Sequence, residues 1–184
     1  MQGGIPIQRA YLTVGPQGAG KSTFCHRLVE ICPGLILISR DDIYEEVFGK
    51  DWHSAYSGAH YVGMDEVWKR VETAATTSEQ IILDCWNGNP EERRAIVNRL
   101  RSLGIIRIVA WHFVTPKDIC MEWYKAKITA EKWCSLNLID SNTQICGSNY
   151  DVFCSMPIST DQGFDCIRTI DPTKVEPSAD FLDL

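Results

Sequence analysis

The sequence predicts an α/β fold of three layers, with a parallel sheet covered by helices on both faces. Three observations carry that prediction. Short apolar runs recur along the chain, stretches with helical spacing lie between them, and the polar clusters fall directly after the apolar runs. Strands that alternate with helices in this way build βαβ units and therefore a parallel sheet. Ligands of such sheets bind beyond the carboxyl ends of the strands.

Ala10-Tyr11-Leu12-Thr13-Val14 reads as the first strand. From Lys21 onward, Phe24, Leu28 and Ile31 recur at i, i+4, i+7 and predict one buried helix face. Pro33-Gly34 stops that helix, and Leu35-Ile36-Leu37-Ile38 reads as a fully buried second strand. Met64, Trp68, Val71 and Ala75 predict a helix over about 54–77, followed by a third strand, Ile81-Ile82-Leu83-Asp84.

Asn87-Gly88-Asn89-Pro90 is a turn with proline placed for a helix start. In that helix Ile96, Val97, Leu100 and Leu103 form the core stripe, and Gly104 ends it. Arg93, Arg94, Arg99, Arg101 and Arg107 fall largely opposite the stripe and read as a solvated face. Residues 105–114 supply a fourth strand, in which His112 is a core position, and 116–127 a further helix. The pattern over 128–149 assigns no element. Cys166-Ile167-Arg168-Thr169-Ile170 is the last strand. Residues 172–184, with two prolines and three acids, read as a flexible acidic tail beyond a domain of 1–171.

Composition narrows the function classes. The chain has 184 residues, 45% hydrophobic, which fits one domain with a substantial core. No apolar run reaches the ~18 residues of a membrane span, and the N-terminus lacks the charged and apolar regions of a signal peptide. A cytoplasmic location is the expectation. Eight cysteines without a C-x-x-C pair read as free, structural thiols. A net charge of −6 argues against a long nucleic-acid footprint but not against a small basic cleft.

Gly15-Pro16-Gln17-Gly18-Ala19-Gly20-Lys21-Ser22 matches G-x-x-x-x-G-K-[ST] in full, between a strand and an amphipathic helix. Glycines let the backbone curl so that successive N–H groups face phosphate oxygens, and the helix start adds its positive dipole end. The fold expected is thus of the P-loop NTPase type. Gly15, Gln17, Gly18, Ala19, Gly20, Lys21, Ser22 and Thr23 would hold a nucleoside triphosphate, ATP by default, and Ser22 would bind Mg2+.

Two acidic clusters follow the second and third strands. An aspartate in Ser39-Arg40-Asp41-Asp42 has the position for a general base, and Ser39 or Asp41 equally has the position for a helix N-cap. Asp84 ends a strand as a Walker B acid would, holding magnesium directly or through water. Capping of the following turn is the plainer role for such a residue.

Taken in order, the P-loop followed by Thr23-Phe24, Arg40-Asp41-Asp42 after a strand, Asp84 ending a strand with Asn87 beyond it, and Asn89-Pro90-x-x-Arg93-Arg94 form a pattern. Together with Phe153, Pro157 and Gln162-Gly163-Phe164-Asp165, it resembles the kinase domain of 5′-hydroxyl polynucleotide kinases, over roughly residues 9–170. The resemblance implies Asp41 as the base, Lys21 and Asp84 as its catalytic companions, and Ser22 with Asp84 at the metal. It places Arg40, Asp42, Tyr44 and Asn87 on the acceptor side.

Two departures accompany the resemblance. Tyr44 stands where phage members carry an arginine for the acceptor phosphate. The presumed lid offers Lys125, Lys127 and Lys132 but no arginine. Lysine gives a point charge where arginine gives a bidentate fork.

Trp123, Tyr124 and Trp133 flank those lysines and would close the site against water. Trp52, His53, Tyr56, His60 and Tyr61 form an aromatic cluster suited to stacking or to packing under a loop. The function expected is ATP-dependent phosphoryl transfer to an alcohol, foremost the 5′-hydroxyl at a nucleic-acid end. A small-molecule kinase and a nucleotide-binding module or slow ATPase acting through a partner are the alternatives.

Overall fold

The computed structural model describes residues 8–49, 56–77, 80–130 and 136–182, the side chains of 56–62 and 136–138 excepted. Five strands form one parallel sheet: β1 (Arg9–Val14), β2 (Leu35–Ser39), β3 (Gln80–Asp84), β4 (Arg107–Phe113) and β5 (Cys166–Ile170), in the order β2-β3-β1-β4-β5. The helices are α1 (Lys21–Ile31), α2 (Arg40–Phe48), α3 (Tyr56–Thr77), α4 (Pro90–Ser102), α5 (Lys117–Ala130) and α6 (Leu136–Cys154).

Strand side chains alternate between two cores, as the two-residue period of a strand requires. Ala10, Leu12, Ile81, Leu83, Ile108 and Ala110 face α2, α3 and α4, where they meet Tyr44, Val71 and Val97. Tyr11, Ile82, Val109 and Trp111 face Phe24 and Leu28 of α1 and Cys120 of α5. The three-layer α/β prediction holds.

Three local expectations are corrected. Leu35 and Ile38 are buried but Ile36 and Leu37 only partly so, because β2 is a sheet edge. Ile31 is exposed at the last turn of α1, since the core ends at Leu28. Of the unassigned 128–149, residues 128–130 end α5 and residues 136–149 belong to α6. Its polar residues give no clean stripe, yet Cys146 and Phe153 are buried.

The expected acidic tail folds back on the body as far as Leu182. Phe181 is buried edge-on to Phe24, 5.1 Å between centroids, and the Arg168 guanidinium lies over its other side at 4.2 Å. Tyr11 Oη and Arg9 Nη1 both donate to the Leu182 carbonyl, and Arg27 of α1 pairs with Glu176. Acidic composition concealed an apolar anchor.

Among the described residues no helix is long and apolar enough to cross a membrane. The seven described cysteines are free.

Candidate functional site

β1 delivers the glycine-rich loop at its carboxyl end, and the loop turns into α1. Gly18 and Gly20 adopt φ of 77° and 80°, the left-handed region that favours glycine. A Cβ on Gly18 would overlap the Cys120 carbonyl of α5. The loop is tied down by Thr115, whose buried hydroxyl donates to the Ala19 carbonyl at 2.8 Å.

No side chain caps α1, whose N-cap is Gly20, whereas Ser39 caps α2 and Asn89 caps α4 in a capping box with Glu92. Ser39 rather than Asp41 thus takes the capping role. The first-turn amides of α1 are left for an anion. Lys21 Nζ donates to the carbonyls of Gly15 and Pro16 at 3.0 and 2.9 Å. Burial lowers the pKa of this ammonium, and the charges of Asp84 and Asp41 work against that shift.

Asp84 sits 6% exposed at the end of β3. Its Oδ2 accepts from Ser22 Oγ at 2.6 Å and its Oδ1 from Thr13 Oγ1 at 2.5 Å. Nothing in the sequence pattern singled out Thr13, which reads as an ordinary strand residue. A hydroxyl and a carboxylate side by side form an oxygen donor pair of the kind magnesium takes, with phosphates and water completing its shell. Among the described residues no group of three or more His, Cys, Asp or Glu forms a metal site by itself.

β2 pairs with β3 so that Ser39 lies opposite Asp84. Asp41, two residues beyond Ser39, therefore leaves the sheet beside the residues beyond Asp84. Arg40 Nε and Nη2 donate to Asp41 Oδ1 at 2.9 and 2.7 Å. Burial works against the Arg40 charge, and Asp41 more than restores it, so the guanidinium pKa is raised. Arg40 also acts on Lys21 through its charge, which puts a second cation in the neighbourhood of the loop.

The remaining predicted residues divide. Gln17 meets α6, since Asn149 Nδ2 donates to Gln17 Oε1 at 3.4 Å and Cys146 Sγ to the Gln17 carbonyl at 3.5 Å. Trp123 and Tyr124 of α5 lie against the loop: a Cβ on Gly20 would fall 2.9 Å from the Trp123 ring, and one on Gly18 3.2 Å from Tyr124 Cβ. Thr23 is exposed on α1, and Asp42 pairs with His26 of α1 at 3.0 Å.

Tyr44 is a core residue of α2. It is 1% exposed, its ring packs on Gly63, since the position follows the core face of α2, and the Arg40 guanidinium lies 5.7 Å from its centroid. Asn87 is likewise a buried staple, donating to the carbonyls of Thr13 and Cys85. Lys125 pairs with Asp140 of α6 at 2.8 Å, and both are mostly exposed. Lys127 lies on the same helix, whereas Lys132, Trp133, Trp52 and His53 fall outside the described residues, as do the side chains of Tyr56, His60 and Tyr61.

Arg94 and Arg99 are exposed as expected of the arginine face, and Arg93 is its one large correction. Arg93 is fully buried. Its Nε donates to Gln162 Oε1 at 2.7 Å, its Nη1 to the carbonyls of Asn87 and Gly88, and its Nη2 to those of Met156 and Pro157 at 2.9 and 3.1 Å. Five donors meet five acceptors. Helical spacing could not reveal this, because three of the acceptors, on Met156, Pro157 and Gln162, come from segments remote in sequence. Burial lowers the pKa of His112, and the Arg93 charge adds to that effect.

Burial pushes the thiols of Cys85 and Cys120 up to about 12, so both stay protonated near neutral pH.

The sequence profile of a family described as an AAA domain matches residues 11–134, more than half of the chain. The chain belongs to that family. Its fold is shared with a candidate kinase from Chloroflexus aurantiacus, at TM-score 0.63 and 13% identity over 94% of this chain and 91% of that one. A chain of the Pnkp1/Rnl/Hen1 RNA repair complex superposes at TM-score 0.65 and 16% identity, over 84% of this chain and 47% of its own. A fungal RNA kinase follows at 0.53 and 18%, over 94% and 79%. Identities this low establish the fold alone. No match is found among curated proteins.

Proposed function

We propose that this family member is an ATP-dependent phosphotransferase whose acceptor is an alcohol, foremost the 5′-hydroxyl at the end of a polynucleotide. The observation that carries the reading is the register of β2 and β3, which sets Asp84, bonded to Ser22, opposite Ser39 at the start of the helix that bears Asp41. A phosphate-binding loop alone would account for Lys21 and Ser22. A second acid held beside it by Arg40 is what a transfer reaction needs and simple nucleotide binding does not.

The amides of the Gly15–Ser22 loop and the start of α1 hold the triphosphate, with Lys21 at its β- and γ-phosphates. Ser22 and Asp84 would hold Mg2+, which supplies charge neutralisation at the phosphates when bound. Asp41 takes the proton of the acceptor hydroxyl. That oxygen forms a bond to the γ-phosphorus as the bond to the β–γ bridging oxygen breaks, and ADP leaves. Trp123 and Tyr124 keep water from the loop. Arg40 is the cation available for the acceptor side, in place of the lid arginines. The RNA kinase and RNA repair neighbours favour a polynucleotide acceptor, as does the ordered run of sequence motifs.

Transfer of labelled γ-phosphate to 5′-hydroxyl oligonucleotides and to a panel of small alcohols tests the proposal. Oligonucleotide labelling that disappears in Asp41→Asn is the expected result. Labelling of a metabolite alone would remove the polynucleotide acceptor, and ATP loss without any labelled alcohol would remove the phosphotransferase.

A further inference from the structure

Trp86 lies two residues beyond Asp84, and Asp41 lies two residues beyond Ser39. Ser39 and Asp84 are register partners at the carboxyl ends of adjacent strands, so the segments that carry Asp41 and Trp86 start side by side. The Trp86 side chain is nevertheless 47% exposed. An indole left open in this way is apolar area that gains free energy when a ligand covers it.

The ring has a built floor. It lies across Gly88 so closely that a Cβ there would overlap Cζ2, with Cε2 only 2.8 Å away. Gly88 has no positive φ to explain its glycine, so the demand is for space under the indole. Its carbonyl is fixed by Arg93, whose other donors fasten the 156–157 segment on the far side. One buried guanidinium thereby sets the width of the cleft.

Trp86, Gly88, Asn149, Val152, Phe153 and Met156 line a cavity of about 100 Å³ there. Val152 is 54% exposed, so two open apolar side chains flank one cleft rather than standing singly on the surface. Apart from them the lining carries side-chain amides, Asn89 and Asn149, and no charge. Asn149 also touches Gln17, which joins this cleft to the phosphate loop. A neutral, planar group with polar edges fits such a lining; a phosphate or an acidic peptide does not.

We infer that the exposed face of Trp86 is the stacking platform for the nucleobase of the acceptor's terminal nucleotide. The inference rests on the phosphoryl-transfer reading for the position of the acceptor beside Asp41. Stacking is indifferent to base identity, because every base offers a π face. The cleft thus selects a nucleoside-bearing alcohol without selecting a sequence, and it needs little positive charge to do so.

The test uses the full chain, steady-state labelling, and oligonucleotides whose 5′-terminal residue is either intact or abasic. Trp86→Ala is expected to raise the KM for the intact acceptor about ten-fold, with ATP affinity unchanged, and to leave the abasic acceptor unaffected. Trp86→Phe keeps KM within about three-fold. Gly88→Ala, which displaces the indole without removing it, moves KM in the same direction as Trp86→Ala.

Equal labelling of intact and abasic acceptors by the wild type overturns the inference while leaving phosphoryl transfer in place. Should no acceptor be labelled, equilibrium binding of the two oligonucleotides decides. Trp86-dependent preference for the intact one sustains the platform and removes the enzyme, and binding indifferent to Trp86 overturns the platform.

Discussion

The Ser22 hydroxyl donates to Asp84 Oδ2 at 2.6 Å, joining the first turn of α1 to the end of β3. Thr13 holds the other carboxylate oxygen, so Asp84 is oriented from two elements at once.

Asp84→Asn keeps the shape of the side chain but removes its charge. Magnesium-dependent nucleotide affinity is expected to fall at least ten-fold, while affinity in EDTA changes little. Calorimetry with and without magnesium separates the two. Equal loss in both conditions would show that Asp84 shapes the loop rather than serving the metal.

Lys21→Met is expected to abolish nucleotide uptake and to stabilise the nucleotide-free protein near neutral pH. Burial holds the folded-state pKa of Lys21 below 10.5. Between that lowered value and 10.5 the unfolded chain keeps a proton that the folded chain has released, so wild-type stability rises with pH there. The penalty is complete below the window and gone above it. Urea unfolding of both proteins at pH 7 and 10 reads the gain, which shrinks toward 10.5.

Arg93→Ala leaves five acceptors without their donors, among them three buried beyond the reach of water. A loss of about 3 kcal/mol or more is expected in urea unfolding. Arg93→Lys recovers little of it, because a single ammonium has three donors and no fork. Near-complete recovery by lysine would mean that charge, not the five-way geometry, is what the position supplies.

Phe181→Ala removes a buried ring from contact with Phe24 and Arg168. Large-to-small changes of this kind cost about 3–5 kcal/mol, and the melting temperature falls accordingly. An unchanged melting temperature would return residues 172–182 to the status of a tail.

The sheet was legible because its signals are local. Four of the strands are apolar runs bounded by turns, and the Gly15–Ser22 motif marks where β1 ends and α1 begins. Asp41 and Asp84 stand out in the sequence for the same reason, Asp84 ending one apolar run and Asp41 following another. What escaped was decided by remote partners. Arg93 looks like one surface arginine among several until Gln162 and the 156–157 carbonyls are brought to it. Tyr44 occupies an arginine's place in the motif but a core position on α2. Trp86 carries no periodic signal, and Phe181 is hidden within acidic surroundings.

The docking of Leu182 onto Tyr11 joins groups 171 positions apart. During synthesis, β1 and the helix bearing the phosphate loop emerge long before the segment that covers them. At about 5–20 residues per second, the wait for that segment lasts on the order of ten seconds. Throughout it Phe24 lacks the Phe181 ring that packs on it. Nucleotide capture while still on the ribosome would therefore require a half-finished core, and slowing translation should lengthen that vulnerable interval.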